Sequence, residues 1–165
     1  MFYHIMPSPI GDLLLAGDNE ALHFVYFQGG VRPTKPDQDW ERSDKPFLET
    51  VRQLKAYFNG KLQRFDLPLA PEGTEFQMRV WQTLRSIPYG ETWSYGELAR
   101  RIRKPTASRA VGAANGQNPI PVIIPCHRVI GANGSLTGFG GGLPIKQKLL
   151  ALEGSLPIQA QSKLF

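Results

Sequence analysis

The sequence predicts an α+β fold in two parts: a small sheet with one helix, then a helix-turn-helix region that passes into a glycine-rich stretch. Short apolar and aromatic runs between turn residues mark the first part. Apolar residues at helical spacing behind capping boxes mark the second. Charge separates the halves as well: residues 1 to 97 hold ten Lys/Arg against thirteen Asp/Glu, whereas residues 98 to 165 hold nine against one. A half with net charge +8 suits a polyanion; a solvated basic face without a partner is the alternative.

In chain order, "FYHIM", "LLLAG" and "ALHFVYF" are strands separated by "PSPIG" and "GDNE", compositions that turn the chain, and together they make a small antiparallel sheet. A loop rich in Pro and Asp leads to "KPFLETVRQLKAYFNG", where Phe47, Val51, Leu54 and Phe58 fall on one helical face, with Pro46 near the start and Gly60 past the end. The loop "DLPLAPEG" then divides the chain into domains of residues 1–72 and 73–165.

The second domain opens with a capping box, Thr74 with Gln77, and a face of Phe76, Val80, Leu84 and Ile87 that stops before Pro88. A second box, Ser94 with Glu97, starts "SYGELARRIRKPTASRAVGAANGQNP", two short helices broken by "RKPT". Helix-turn-helix is common in proteins that bind nothing, but Arg100, Arg101, Arg103, Lys104 and Arg109 lie within it and favour DNA. In "NPIPVIIPC" three prolines around an apolar run exclude a helix interior and point to an extended, buried segment. The stretch "GANGSLTGFGGGLP" has six glycines but neither the phosphate-loop nor the dinucleotide spacing; it reads as a loop near a ligand or as a flexible connector. A final helix, "PIKQKLLALEG", ends at Gly154 with Glu153 in its last turn.

Composition narrows the function classes. Hydrophobic residues are 41% and charged residues 20%, and no apolar run approaches the roughly 18 residues a membrane helix needs. The N-terminus lacks the pattern of a signal peptide, so a cytoplasmic protein with no membrane contact is expected. One cysteine excludes an internal disulfide, and with only His4, His23 and His127 beside it no zinc site is expected.

That cysteine, Cys126, stands in "VIIPCHRVIG". A buried cysteine is commonly just a small hydrophobe. A reactive one needs a base or a positive charge nearby, and His127 and Arg128 follow it directly. A histidine base needs an orienting carboxylate in turn, and Glu153 is the only acid after Glu97. Sequence neighbours need not face each other, so a water between Cys126 and His127 fits the pair.

These residues resemble the O6-alkylguanine-DNA alkyltransferases, also called methylated-DNA-protein-cysteine methyltransferases. The resemblance rests on the signature Pro125, Cys126, His127, Arg128 and Val129, flanked by "RAVGAANGQNPIPVII" and "LTGFGGG", and is strong from about Gly73 to Gly154. It implies an N-terminal ribonuclease-H-like α/β domain and a C-terminal winged helix-turn-helix domain that binds DNA and carries the alkyl acceptor.

By this resemblance Cys126 is the acceptor, His127 the base acting through water, and Glu153 its orienting carboxylate. Asn118 braces the turn around the site, though it reads equally as a plain turn residue before Pro119. Tyr95 donates a proton towards guanine N3, the alternative being simple packing. Arg109 enters the base stack where the damaged base was, its alternative being a phosphate contact. Small residues Ala110, Gly112, Ala113 and Ala114 bring their helix close to DNA, with Arg128 among the DNA contacts, and Val129, Phe139 and Gly140 line the substrate pocket.

The implied activity is single-turnover transfer of the alkyl group from O6-alkylguanine, flipped out of double-stranded DNA approached from the minor groove, to Cys126, without cofactor or metal. O4-alkylthymine stays open as a second substrate. A monomer in solution is expected, with cooperative binding along DNA left open. Phe139 departs from the tyrosine that many members carry, and the N-terminal zinc cysteines of some members are missing. Two other readings compete: an alkyltransferase-like binding module, which Cys126 opposes because such modules lack the acceptor, and a cysteine hydrolase, which the basic helix-turn-helix opposes.

Overall fold

The computed structural model describes residues 1–29 and 34–156; residues 157–165, the end of the expected second domain, lie outside it. The described residues form two compact units, divided between Glu72 and Gly73.

In the first unit β1 (Phe2–Met6), β2 (Leu13–Gly17) and β3 (Leu22–Phe27) form an antiparallel meander. A two-residue β4 (Glu41–Arg42) then pairs parallel with β1, giving the order β3-β2-β1-β4. The sheet is therefore not wholly antiparallel as expected, because the long connection after β3 returns the chain to the far edge. β2 is central and buried throughout, which is why it reads as a continuous apolar run and not as an alternating one.

α1 (Leu48–Phe58) follows a 3-10 turn at Lys45–Phe47. Its buried side chains are Thr50, Gln53, Leu54 and Tyr57, with Val51 and Phe58 only half-buried, so the inner face is rotated from the expected one. A polar residue causes this. The Gln53 amide donates to the Asp66 carbonyl and accepts from the Asp66 N–H, both at 2.9 Å, and so faces the loop after the helix.

The second unit begins with α2 (Glu75–Leu84), whose capping box of Thr74 and Gln77 is complete. Val80, Trp81 and Leu84 face inward, and the Trp81 indole N–H donates to the Ala114 carbonyl at 2.8 Å. β5 (Trp93–Ser94) leads directly into α3 (Tyr95–Arg101). Ser94 caps α3 by accepting from the Glu97 N–H, but the expected second box is only half made, because the Glu97 carboxylate pairs with Arg100 and Arg101. α4 (Ser108–Gly116) follows.

Residues 120–130 are all buried. The proline-rich part is not extended, however: Val122 has φ 74, a conformation that costs a β-branched residue about 1–3 kcal/mol, and the Ile124 N–H closes back on the Ile120 carbonyl at 2.9 Å. A 3-10 turn at Cys126–Arg128 passes into β6 (Val129–Ile130), which pairs parallel with β5. The glycine-rich loop then reaches α5 (Leu143–Leu152), entered through Gly142 at φ 96, which glycine adopts without a Cβ penalty. No helix among the described residues is long and apolar enough to cross a membrane.

Candidate active site

Cys126 opens its 3-10 turn at the end of the tight proline-rich segment and is 4% exposed. Asn118 staples that segment. Its Oδ1 accepts from the Ile120 N–H at 2.9 Å and its Nδ2 donates to the Ile124 carbonyl at 2.8 Å, so one amide fixes both sides of the turn carrying the thiol. The Asn118 side chain also works to favour the ionised form of the Cys126 thiol. Burial outweighs that help and pushes the thiol up to about 11, so Cys126 rests protonated and needs a proton acceptor to become a nucleophile.

A candidate acceptor follows it in the chain. His127 is fully buried, and its Nε2 lies 2.8 Å from Glu153 Oε2. Burial works to raise the Glu153 pKa, but hydrogen bonds from His127 and Arg128 and their charges bring it down to about 2. The carboxylate is therefore ionised and can only accept, which puts the proton on Nε2 and leaves Nδ1 with a lone pair. Burial also lowers the His127 pKa, against the pull of Glu153, keeping the imidazole neutral, with Nδ1 free to accept a proton.

Arg128 completes this cluster from the inside. Its Nε and Nη2 donate to the two Glu153 oxygens at 2.8 and 3.1 Å, and its Nη1 donates to the Ile87 carbonyl at 2.7 Å. The expectation that Arg128 contacts DNA is corrected here, because its guanidinium is buried and committed to an internal carboxylate. Pairing with the Arg128 cation, with the His127 N–H as a second donor, is what makes a buried Glu153 tolerable.

Two residues of this cluster escaped the sequence reading. Asn115 is buried on α4 and its Nδ2 donates to the Cys126 carbonyl at 3.3 Å. Its Oδ1 and His127 Nδ1 are the buried side-chain polar atoms without a hydrogen bond among the described residues. Lys146 is fully buried, and its Nζ donates to the carbonyls of Val129 and Thr137 at 2.7 and 2.8 Å. Burial lowers its pKa to about 8, while interaction with Cys126 works to raise it. A signal existed for both: Lys146 lies beside Ile145 and one turn before Leu149 and Leu150 on the inner face of α5, and Asn115 lies one turn after Val111 on the inner face of α4.

The remaining candidates divide by face. On α4, Arg109, Ala110 and Ala113 are exposed and lie together, and Gly112 is half-buried against Tyr95, where a Cβ would stand 3.7 Å from the ring. Ala114, one turn after Ala110, is buried and its carbonyl accepts from Trp81, which corrects its expected place among the DNA contacts. Tyr95 is half-buried, with its hydroxyl 3.1 Å from Thr137 Oγ1. Val129 is fully buried, Phe139 half-buried and Gly140 exposed. Arg101 stacks over Trp93 at 4.5 Å besides pairing with Glu97, so the basic stretch is partly neutralised within α3.

Comparison with known proteins covers both units. Two family models match: the ribonuclease-like domain of 6-O-methylguanine DNA methyltransferase over residues 1–71, and the DNA binding domain of the same family over residues 75–155. A methylated-DNA–protein-cysteine methyltransferase of Methanosarcina acetivorans is 57% identical over 155 residues, covering 94% of this chain and 99% of its own. The protein of that name from Mycobacterium tuberculosis is 51% identical, covering 93% and 92%. Among solved structures, Mycobacterium tuberculosis OGT in complex with DNA matches with a TM-score of 0.87 at 49% identity, over 95% of each chain.

Proposed function

The chain belongs to the 6-O-methylguanine DNA methyltransferase family, and from this we propose that it repairs DNA directly, moving the alkyl group of O6-alkylguanine onto Cys126 once per molecule. The observation that carries this is the buried 2.8 Å His127–Glu153 pair beside the chain's one thiol.

The Cys126 proton passes through one water to His127 Nδ1. That water's second hydrogen has Asn115 Oδ1 as its acceptor, which leaves a lone pair for the thiol. Glu153 holds the imidazole in the tautomer that can receive the proton and stabilises the imidazolium that forms. Sulfur then attacks the alkyl carbon on the side opposite oxygen. The C–O bond breaks, its electron pair returns to the base, and the Tyr95 hydroxyl donates to guanine N3.

Neighbouring bases crowd the line of attack inside a stack, so the base must be extruded, at a cost of a few kcal/mol. Arg109, on the exposed face of α4 with Ala110 and Ala113, fills the gap from the minor groove, where readout carries little sequence information. Phe139 and Gly140 border the pocket for the extruded base. The protein acts in the cytoplasm as a monomer and needs no cofactor.

The product is a thioether. Unlike the thioester of a cysteine hydrolase it has no carbonyl for water to attack, so the chain does not recycle. Titrating excess O6-methylguanine duplex against a known amount of protein, with mass analysis of the Cys126 peptide, tests this. A plateau at one alkyl group per chain is expected. Continued turnover would favour the hydrolase, and lesion binding with no gain in mass would favour a binding module.

A further inference from the structure

Thr137, in the loop between β6 and α5, is held from two sides. Its side-chain Oγ1 lies 3.1 Å from the Tyr95 hydroxyl, and its backbone carbonyl accepts from Lys146 Nζ at 2.8 Å. The same buried ammonium donates to the Val129 carbonyl at 2.7 Å, three residues after Cys126. The loop is thus pinned to the core beside the thiol, and the Thr137 hydroxyl meets Tyr95 from an anchored backbone.

Two hydroxyls that share one hydrogen bond have one hydrogen left over. If Tyr95 donates to Thr137, its proton is withheld from any third group. If Thr137 donates to Tyr95, the phenol proton is free for a base, and charge that develops on the phenol oxygen falls on a donor already in place. Hydrogen bonds to charged groups are roughly twice as strong as neutral ones, so the second arrangement gains as the proton leaves.

We propose that Thr137 is a positioning residue for departure of the repaired base: its hydroxyl donates to Tyr95, aims the phenol proton at the extruded purine, and holds the phenolate once that proton has moved. This rests on the reading of Tyr95 as the donor to guanine N3. The step balances. The thiol proton goes to His127, the S–C bond forms as the C–O bond breaks, the electron pair goes to the base, and the Tyr95 proton goes to N3. The half-buried phenolate regains a proton from solvent and the imidazolium releases one. Thr137 keeps its own proton, and nothing is oxidised or reduced.

Thr137→Val removes the hydroxyl and keeps the shape, while Thr137→Ser keeps the hydroxyl. Single-turnover transfer from an O6-methylguanine duplex is measured for each, with Tyr95 intact and with Tyr95→Phe. Thr137→Val should be roughly tenfold slower with Tyr95 intact and have no further effect with Tyr95→Phe, and Thr137→Ser should transfer close to the wild-type rate. A free alkylated base carrying an electron-withdrawing substituent, which leaves without help from a proton, should shrink the Thr137→Val deficit; damage to folding would leave it unchanged. Equal losses in both Tyr95 backgrounds, failure of Thr137→Ser to restore the rate, or a Tyr95→Phe variant as fast as wild type would overturn the inference while leaving transfer to Cys126 intact. A wild-type protein that gains no alkyl mass would overturn the parent reading, and this inference with it.

Discussion

His127 and Glu153 stand 26 residues apart in the chain, yet their side chains meet at 2.8 Å with neither exposed to solvent. That contact joins the thiol turn to the end of α5 and holds Arg128 on the same carboxylate. Chemistry and stability therefore share one residue.

Glu153→Gln should impair both. Removing one member of a buried ion pair costs roughly 3–5 kcal/mol, a fall in melting temperature on the order of 10 °C. Transfer should slow by at least about tenfold, because His127 loses the charge that stabilises its protonated form. The Glu153 pKa is held down to about 2, so its contribution to stability is full above the usual carboxylate value and is lost as pH falls from about 4.5 towards 2. Thermal melts of both proteins across that window should converge; a gap that stays constant would place the stabilisation elsewhere.

The second expectation concerns pH and His127. Burial lowers its pKa, so the folded protein keeps this imidazole neutral below pH 6.5, where an unfolded histidine takes up a proton. Its contribution to stability is full above 6.5 and declines below it. Transfer from a free alkylated base should stay flat from pH 8 down to 6.5 and fall only at lower pH. A rate climbing steadily with pH over that range would mean attack by thiolate formed without His127.

Arg109→Ala should separate extrusion from transfer. Arg109 is exposed on α4, so transfer from the free base should hardly change while repair of duplex falls by roughly tenfold or more. Equal losses on the two substrates would assign Arg109 to the pocket or the fold instead.

Cys126→Ser should abolish transfer and retain lesion binding. An alcohol is a far weaker nucleophile of similar size, so the extruded base still fits. Competition binding with alkylated and plain duplex, beside mass analysis, checks both halves. Any alkyl mass on the variant would rule Cys126 out as the acceptor.

Binding itself should weaken steeply with salt. The residues after Glu97 carry nine basic groups and one acid, and Glu153, the acid, is buried on His127 and Arg128. Neutralising several phosphates releases counterions, so affinity for undamaged duplex should fall by on the order of a hundredfold or more between 50 and 200 mM salt. A salt-independent affinity would show that the exposed arginines do not meet the DNA backbone.

Sequence alone determined what is set by neighbours along the chain. The Thr74–Gln77 box, the first three strands, and Cys126 beside a histidine are local, and they stand in the structure where the residues put them. Glu153 was legible by elimination, since only one acid follows Glu97. Tertiary packing decided the rest. Arg128 turns inward because a buried carboxylate beside a neutral imidazole needs a cation more than the surface needs another charge. Gln53 rotates α1 by bonding Asp66, thirteen residues on. Val122 takes a left-handed conformation, and the segment expected to be extended closes on Asn118. Lys146 and Asn115 sit at inward-facing helix positions, but the carbonyls they meet are set only when those helices pack. The physical reason is common to all of these: a polar group's partner is chosen by which groups burial strips of water together, and that is known only once distant parts of the chain have met.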